Sequence, residues 1–172
     1  MALPELAPTF GPVFPPTWVV IDCGDPGDKA VSEAIVAYLM AKFPPVLAVR
    51  REVLPADEPD PIDLMAHGVI IVGGPAPWWT GASHWHMTYL VAMDPGWVNK
   101  GTEAAPVWKI AQTDPAVETA DAKACLISSV VGGLPWLAVY NVAGMTAEGT
   151  VQAGELFCAG ETKGIWINKV KQ

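Results

Sequence analysis

The stretch His67-Gly68-Val69-Ile70-Ile71-Val72-Gly73-Gly74-Pro75-Ala76-Pro77 decides how the rest of the chain is read. Four β-branched residues in a row, Val69 to Val72, predict a strand buried on both faces, as in the middle of a mostly parallel sheet. Gly73-Gly74-Pro75 ends that strand abruptly and gives the backbone angles that a side chain would forbid. In an open α/β sheet, a glycine loop at the carboxyl end of a strand is where ligands usually sit. The stretch marks a place for function and leaves its chemistry open.

Toward the amino terminus, Trp18 to Cys23 reads as a first strand and Gly24-Asp25-Pro26-Gly27-Asp28 as a tight loop. Lys29 to Phe43 follows as a helix capped by Asp28, with Val31, Ala34, Ile35, Tyr38, Leu39 and Phe43 on one face. Pro44-Pro45 stop it, and Val46 to Val49, extending toward Leu54, predicts a second strand. Strand, glycine turn, helix and strand in about thirty-five residues make a βαβ unit. Residues 1 to 17 carry Pro4, Pro8, Pro12, Pro15 and Pro16 among Leu3, Leu6, Phe10, Val13 and Phe14. Proline bars this arm from a helix or a central strand. It is expected to lie extended against the body or a neighbouring subunit, with a plain flexible leader as the competing reading.

Toward the carboxyl terminus, Pro55 to Pro61 is an acidic loop and Ile62 to Ala66 a short helical turn. After Pro77 the pattern changes: Trp78, Trp79, Trp85 and Trp97 gather with His84, His86, Met87, Tyr89 and Met93. Ser83 to Met93 predicts a helix, with Trp85, Tyr89 or Leu90, and Met93 inward. The rest of this insert, at about residues 76–105, reads as a long loop, and long loops are usually functional or interfacial. Val107 to Ala111 is a strand, and Asp114 to Ala122 a loop or weak helix. Cys125 to Val131 and Trp136 to Val142 form a hairpin around Gly132-Gly133-Leu134-Pro135. Thr146 caps a helix with Ala147, Val151, Gly154 and Cys158 on one face and Gly160 as its stop. Gly164 to Val170 is a last strand. Together these predict a single α/β domain over 18–172: a mostly parallel, mixed sheet with helices on both faces, in flavodoxin/Rossmann-like layering.

With 172 residues, 51% apolar and 16% charged, the chain can bury a full core. A formal charge of -8, with Lys and Arg scattered, argues against nucleic acid as a partner. Cys23, Cys125 and Cys158 are odd in number and far apart, which does not fit a secreted disulfide framework. No run has the length and apolarity of a membrane span. If Met1 is the native start, the chain stays in the cytoplasm; if a leader was removed, the cell surface is the expectation. Low charge content and many prolines also fit a thermophilic source.

Two segments resemble archaeal S-layer-like domains. Val69-Ile70-Ile71-Val72-Gly73-Gly74-Pro75 is similar to a strand-Gly-Gly-Pro signature of that family. Val139-Tyr140-Asn141-Val142-Ala143-Gly144-Met145-Thr146, running on to Leu156, resembles its strand, Ala-Gly and Thr-capped helix. The sequence departs from the pattern where an Asn usually follows Gly-Gly-Pro; here Ala76-Pro77-Trp78-Trp79 stands instead. The resemblance implies an α/β fold and a non-catalytic role in assembly.

The candidate chemistries are thin. Cys23 stands where a strand meets a glycine turn and a helix, as a nucleophilic thiolate would. Asp25 and Asp28 would repel a phosphate there, and no arginine grips one. Gly24-x-x-Gly27 is not a dinucleotide fingerprint, and no Walker loop is present. His84-x-His86 lacks a third and fourth zinc ligand at any useful spacing, His67, Asp94 or a distant Cys being the candidates. Ser83, Ser128 and Ser129 lack a nucleophile elbow. No catalytic residue, metal ligand or cofactor is therefore assigned. The expected function is structural, through self-association or a protein partner, with Trp78, Trp79, Trp85, Tyr89, Trp97, Phe10 and Phe14 as interface residues; core packing and ligand stacking are the competing readings of the tryptophans. The alternative is a nucleotide, flavin or sugar site, or an enzyme, at Gly24, Asp25, Gly27, Asp28, Gly73 and Gly74.

Overall fold

In a computed structural model, the described residues are 17–42, 48–58, 68–79, 81, 84, 86–131 and 138–172. The predicted buried strand becomes β3 (Gly68–Val72), buried at every position. It lies between β1 (Thr17–Asp22) and β8 (Ala138–Gly144), parallel to both, and β2 (Ala48–Val53) pairs parallel to β1 beyond it. β7 (Ala124–Val131) pairs antiparallel to β8, as the hairpin reading requires, and β9 (Gly164–Ile167) pairs antiparallel to β7. A short β10 (Val170–Lys171) closes that side, giving a seven-stranded mixed sheet in the order β10-β9-β7-β8-β3-β1-β2.

Helix α1 (Pro26–Lys42) begins earlier than expected. Asp25, not Asp28, caps it by accepting the Gly27 N–H at 2.9 Å, and Pro26 fits the first helical position, where no N–H is needed. Helix α3 (Ala147–Cys158) starts at its predicted Thr146 cap. Its inward face is Gly149, Thr150, Ala153, Gly154 and Phe157, whereas Val151 is exposed. The last strand is in fact a hairpin, because Asn168 and Lys169 both take positive φ, 49° and 67°, and turn β10 back on β9.

Strand alternation sorts the core into two layers. Trp18, Val20, Ile70, Val72, Ile127, Tyr140 and Val142 face α1 and α3, where Ile35, Leu39 and Phe157 meet them. Val19, Ile21, Val69, Ile71, Leu126 and Val139 face the other way. That face is covered by the Trp-rich excursion, which holds more secondary structure than the one helix and long loop expected there. It holds a seven-residue helix α2 (His86–Ala92) and a three-stranded antiparallel sheet, β4 (Gly96–Asn99), β5 (Trp108–Gln112) and β6 (Val117–Thr119). β4 and β6 fall where the sequence reads as loop. Leu90, Met93, Trp97 and Ile110 carry the excursion's share of the core.

Candidate functional site

The carboxyl ends of β1, β3 and β8 open together onto a cleft of about 270 Å3. Cys23, Asp25 and Asp28 line it from the first corner, Gly73 and Gly74 from the second, and Gly144 to Ala147 with Thr150 from the third. Four of the six residues singled out as ligand-binding thus meet in one place. The other two, Gly24 and Gly27, do not line it. Gly73 is required: its φ is +98°, and a Cβ there would stand 2.7 Å from Asp28 Oδ2.

Three backbone donors at the first two corners are already committed. Gly24 N–H donates to Asp22 Oδ1 at 2.8 Å, Gly27 N–H to Asp25 Oδ1, and Gly73 N–H to the Val142 carbonyl at 3.0 Å. The Arg51 guanidinium is spent as well, in a bidentate pair with the fully buried Asp22 at 2.7 and 2.9 Å. Burial, and then the charges of Asp25 and Asp22, raise the Asp28 carboxyl to about 6. The Cys23 thiol donates to Asp28 Oδ2 at 3.7 Å, and burial with the neighbouring aspartates raises its pKa. A nucleophilic thiolate needs the opposite shift. The cleft suits hydrogen-bond donors and repels anions.

The described tryptophans of the excursion turn inward. Trp78 is buried, donates Nε1 to the Leu54 carbonyl at 2.9 Å and meets His86 edge-on at 4.6 Å. Trp97 is buried and donates to Asn141 Oδ1 at 2.9 Å, while Asn141 Nδ2 donates to the carbonyls of Ile71 and Gly73. Half-buried Trp79 bonds the Glu103 carbonyl and packs against Trp108 at 4.9 Å. Tyr89 is half-buried against the same core layer. Trp78 and Trp97 are buried within the chain, where they cover the sheet's second face. Trp85, Phe10 and Phe14 lie outside the described residues, as do the 62–66 turn, the 132–135 turn, His67 and Ser83.

His84 and His86 have ring centroids 5.0 Å apart, against Trp78. Among the described residues no group of three or more His, Cys, Asp or Glu side chains could hold a metal ion. Ser128 is buried and donates to Met93 Sδ. Comparison with protein-family models, curated proteins and solved structures finds no match. No helix among the described residues is long and apolar enough to cross a membrane.

A second concavity, of about 580 Å3, lies on the excursion. Val91, Asp94, Val98, Ala111, Gln112 and Glu118 are among its lining residues. Sequence reasoning missed this surface because β4 and β6 are short and carry no alternating pattern. It also missed Asn141 and the Asp22–Arg51 pair. A lone amide within Ala138-Val139-Tyr140-Asn141-Val142-Ala143, and an aspartate ending an apolar strand, were the available signals: each demands a buried partner.

Proposed function

We propose that the protein is a non-enzymatic α/β structural domain that works by self-association or protein binding, in the manner of the S-layer-like domains that its Gly-Gly-Pro and Thr-cap segments resemble. The observation that carries this reading is the use made of the excursion. Its tryptophans fasten a second sheet to the first, and the larger concavity opens on that fastened layer. The strand-end cleft supports the reading by its chemistry: burial and the neighbouring aspartates keep its thiol protonated, and the Gly73 and Gly144 N–H groups are bonded within the fold. The order β2-β1-β3-β8, all parallel, goes with a flavodoxin/Rossmann-like half of the sheet. That half serves here as scaffold.

Light scattering of the full chain over a concentration series tests the proposal, and association is the expected result. Ala111→Glu, which places a charge in the concavity, weakens it while leaving the melting temperature nearly unchanged. A strict monomer whose melting temperature rises by several degrees with one nucleotide, flavin or sugar would overturn the reading in favour of a ligand site.

A further inference from the structure

The outer edge of the seven-stranded sheet is β2, and among the described residues no strand pairs with it beyond β1. Its sequence is Ala48-Val49-Arg50-Arg51-Glu52-Val53. N–H and C=O groups point alternately to the two sides of a strand. Leu54 N–H, just beyond β2, donates to the Asp22 carbonyl on β1 at 2.8 Å, so Val49, Arg51 and Val53 turn their backbone groups outward. Val53 is 40% exposed, and the Arg50 and Glu52 side chains, 47% and 29% exposed, pair with each other along the strand at 3.3 Å, so the partner's charges would join an existing pair.

We propose that β2 pairs antiparallel with β2 of a second copy of this chain, about a two-fold axis through Arg51. The inference rests on the self-association reading and adds a surface to it. In that register Val49 faces Val53 of the partner subunit and Arg50 faces Glu52 of the partner subunit, each twice by symmetry. Apolar meets apolar and cation meets anion, and the outward backbone groups fall opposite one another. Shifting the axis to Arg50 or to Glu52 sets like charges directly opposite, which is unfavourable. Charged residues ordinarily guard an edge strand against pairing. Here their order makes the strand complementary to itself. The one like pair, Arg51 on the axis, is neutralised within each copy by Asp22. An isologous contact of this kind uses the same patch on both copies, and the excursion's concavity stays free for a further contact.

The experiment is a charge swap in the full chain, read by sedimentation or light scattering. Arg50→Glu and Glu52→Arg each turn two attractions into repulsions and are expected to weaken dimerisation by about tenfold or more. Mixing the two variants in equal amounts restores a heterodimer, because the doubly acidic strand then faces the doubly basic one. Val53→Pro removes an outward N–H that no hydrogen bond among the described residues uses, and blocks dimerisation at unchanged secondary structure. Association that ignores all three variants, or a mixture that does not rescue, overturns the β2 pairing and leaves self-association by another surface standing. A parent chain that stays monomeric overturns both.

Discussion

Asp28 is the residue whose environment most departs from its ordinary chemistry. Its carboxyl holds a proton up to a pH of about 6 when folded, against 3.8 ordinarily. Between those values the folded state binds more protons than the unfolded one, so Asp28's contribution to stability falls as pH rises from about 4 to about 6 and is flat above. Asp28→Asn removes this loss. Urea unfolding at pH 7 should show the variant more stable by about 1–2 kcal/mol, partial exposure having screened the full value of the shift. Parent and variant should converge below pH 4. Asn141 acts in the opposite sense. Asn141→Leu strands the Trp97 N–H in the core and takes a donor from the Ile71 and Gly73 carbonyls, and should cost about 2–3 kcal/mol in the same measurement.

At the scale of elements, the packing of α1 on α3 turns on Gly154. A Cβ at that position would stand 2.6 Å from Val31 Cγ1, so the helices approach only because the side chain is absent. Gly154→Ala gains helix propensity of about 1 kcal/mol and loses about 1–3 kcal/mol to overpacking. The expected net is destabilisation in the parent. In a Val31→Ala background the clash is gone, and the same substitution should stabilise; a double-mutant cycle by thermal unfolding reads this sign change. The sequence pattern places Gly154 and Cys158 on the inward face correctly, but with the exposed Val151 beside them. Helical spacing alone allows that rotation, and contact with Val31 fixes another.

For the whole molecule, the question is whether the excursion is a separate unit. Trp78, Trp97, Leu90 and Ile110 share one buried layer with β1, β3, β7 and β8. Removing the excursion would expose that face of the sheet, so neither part has a complete core alone. Tryptophan fluorescence and far-ultraviolet circular dichroism should therefore report one coincident unfolding transition in urea. Two separated midpoints would show that the excursion unfolds independently.

The sequence by itself determined the parallel centre of the sheet, the crossover through α1, the β7–β8 hairpin and the Thr146 cap. Each follows from local rules: β-branched runs, proline stops, cap residues and side-chain periodicity act over a few neighbours. It also brought Asp25, Asp28, Gly73 and Gly74 forward as a group, since strand ends in such a sheet converge. Only the tertiary structure decided what those groups and the tryptophans do. Whether Trp97 meets a partner or Asn141, whether a glycine N–H is offered or spent, and whether Arg51 is free or paired with Asp22 all depend on contacts between residues far apart in the chain. An indole is an equally good core residue and interface residue, and only its surroundings in the fold choose between them.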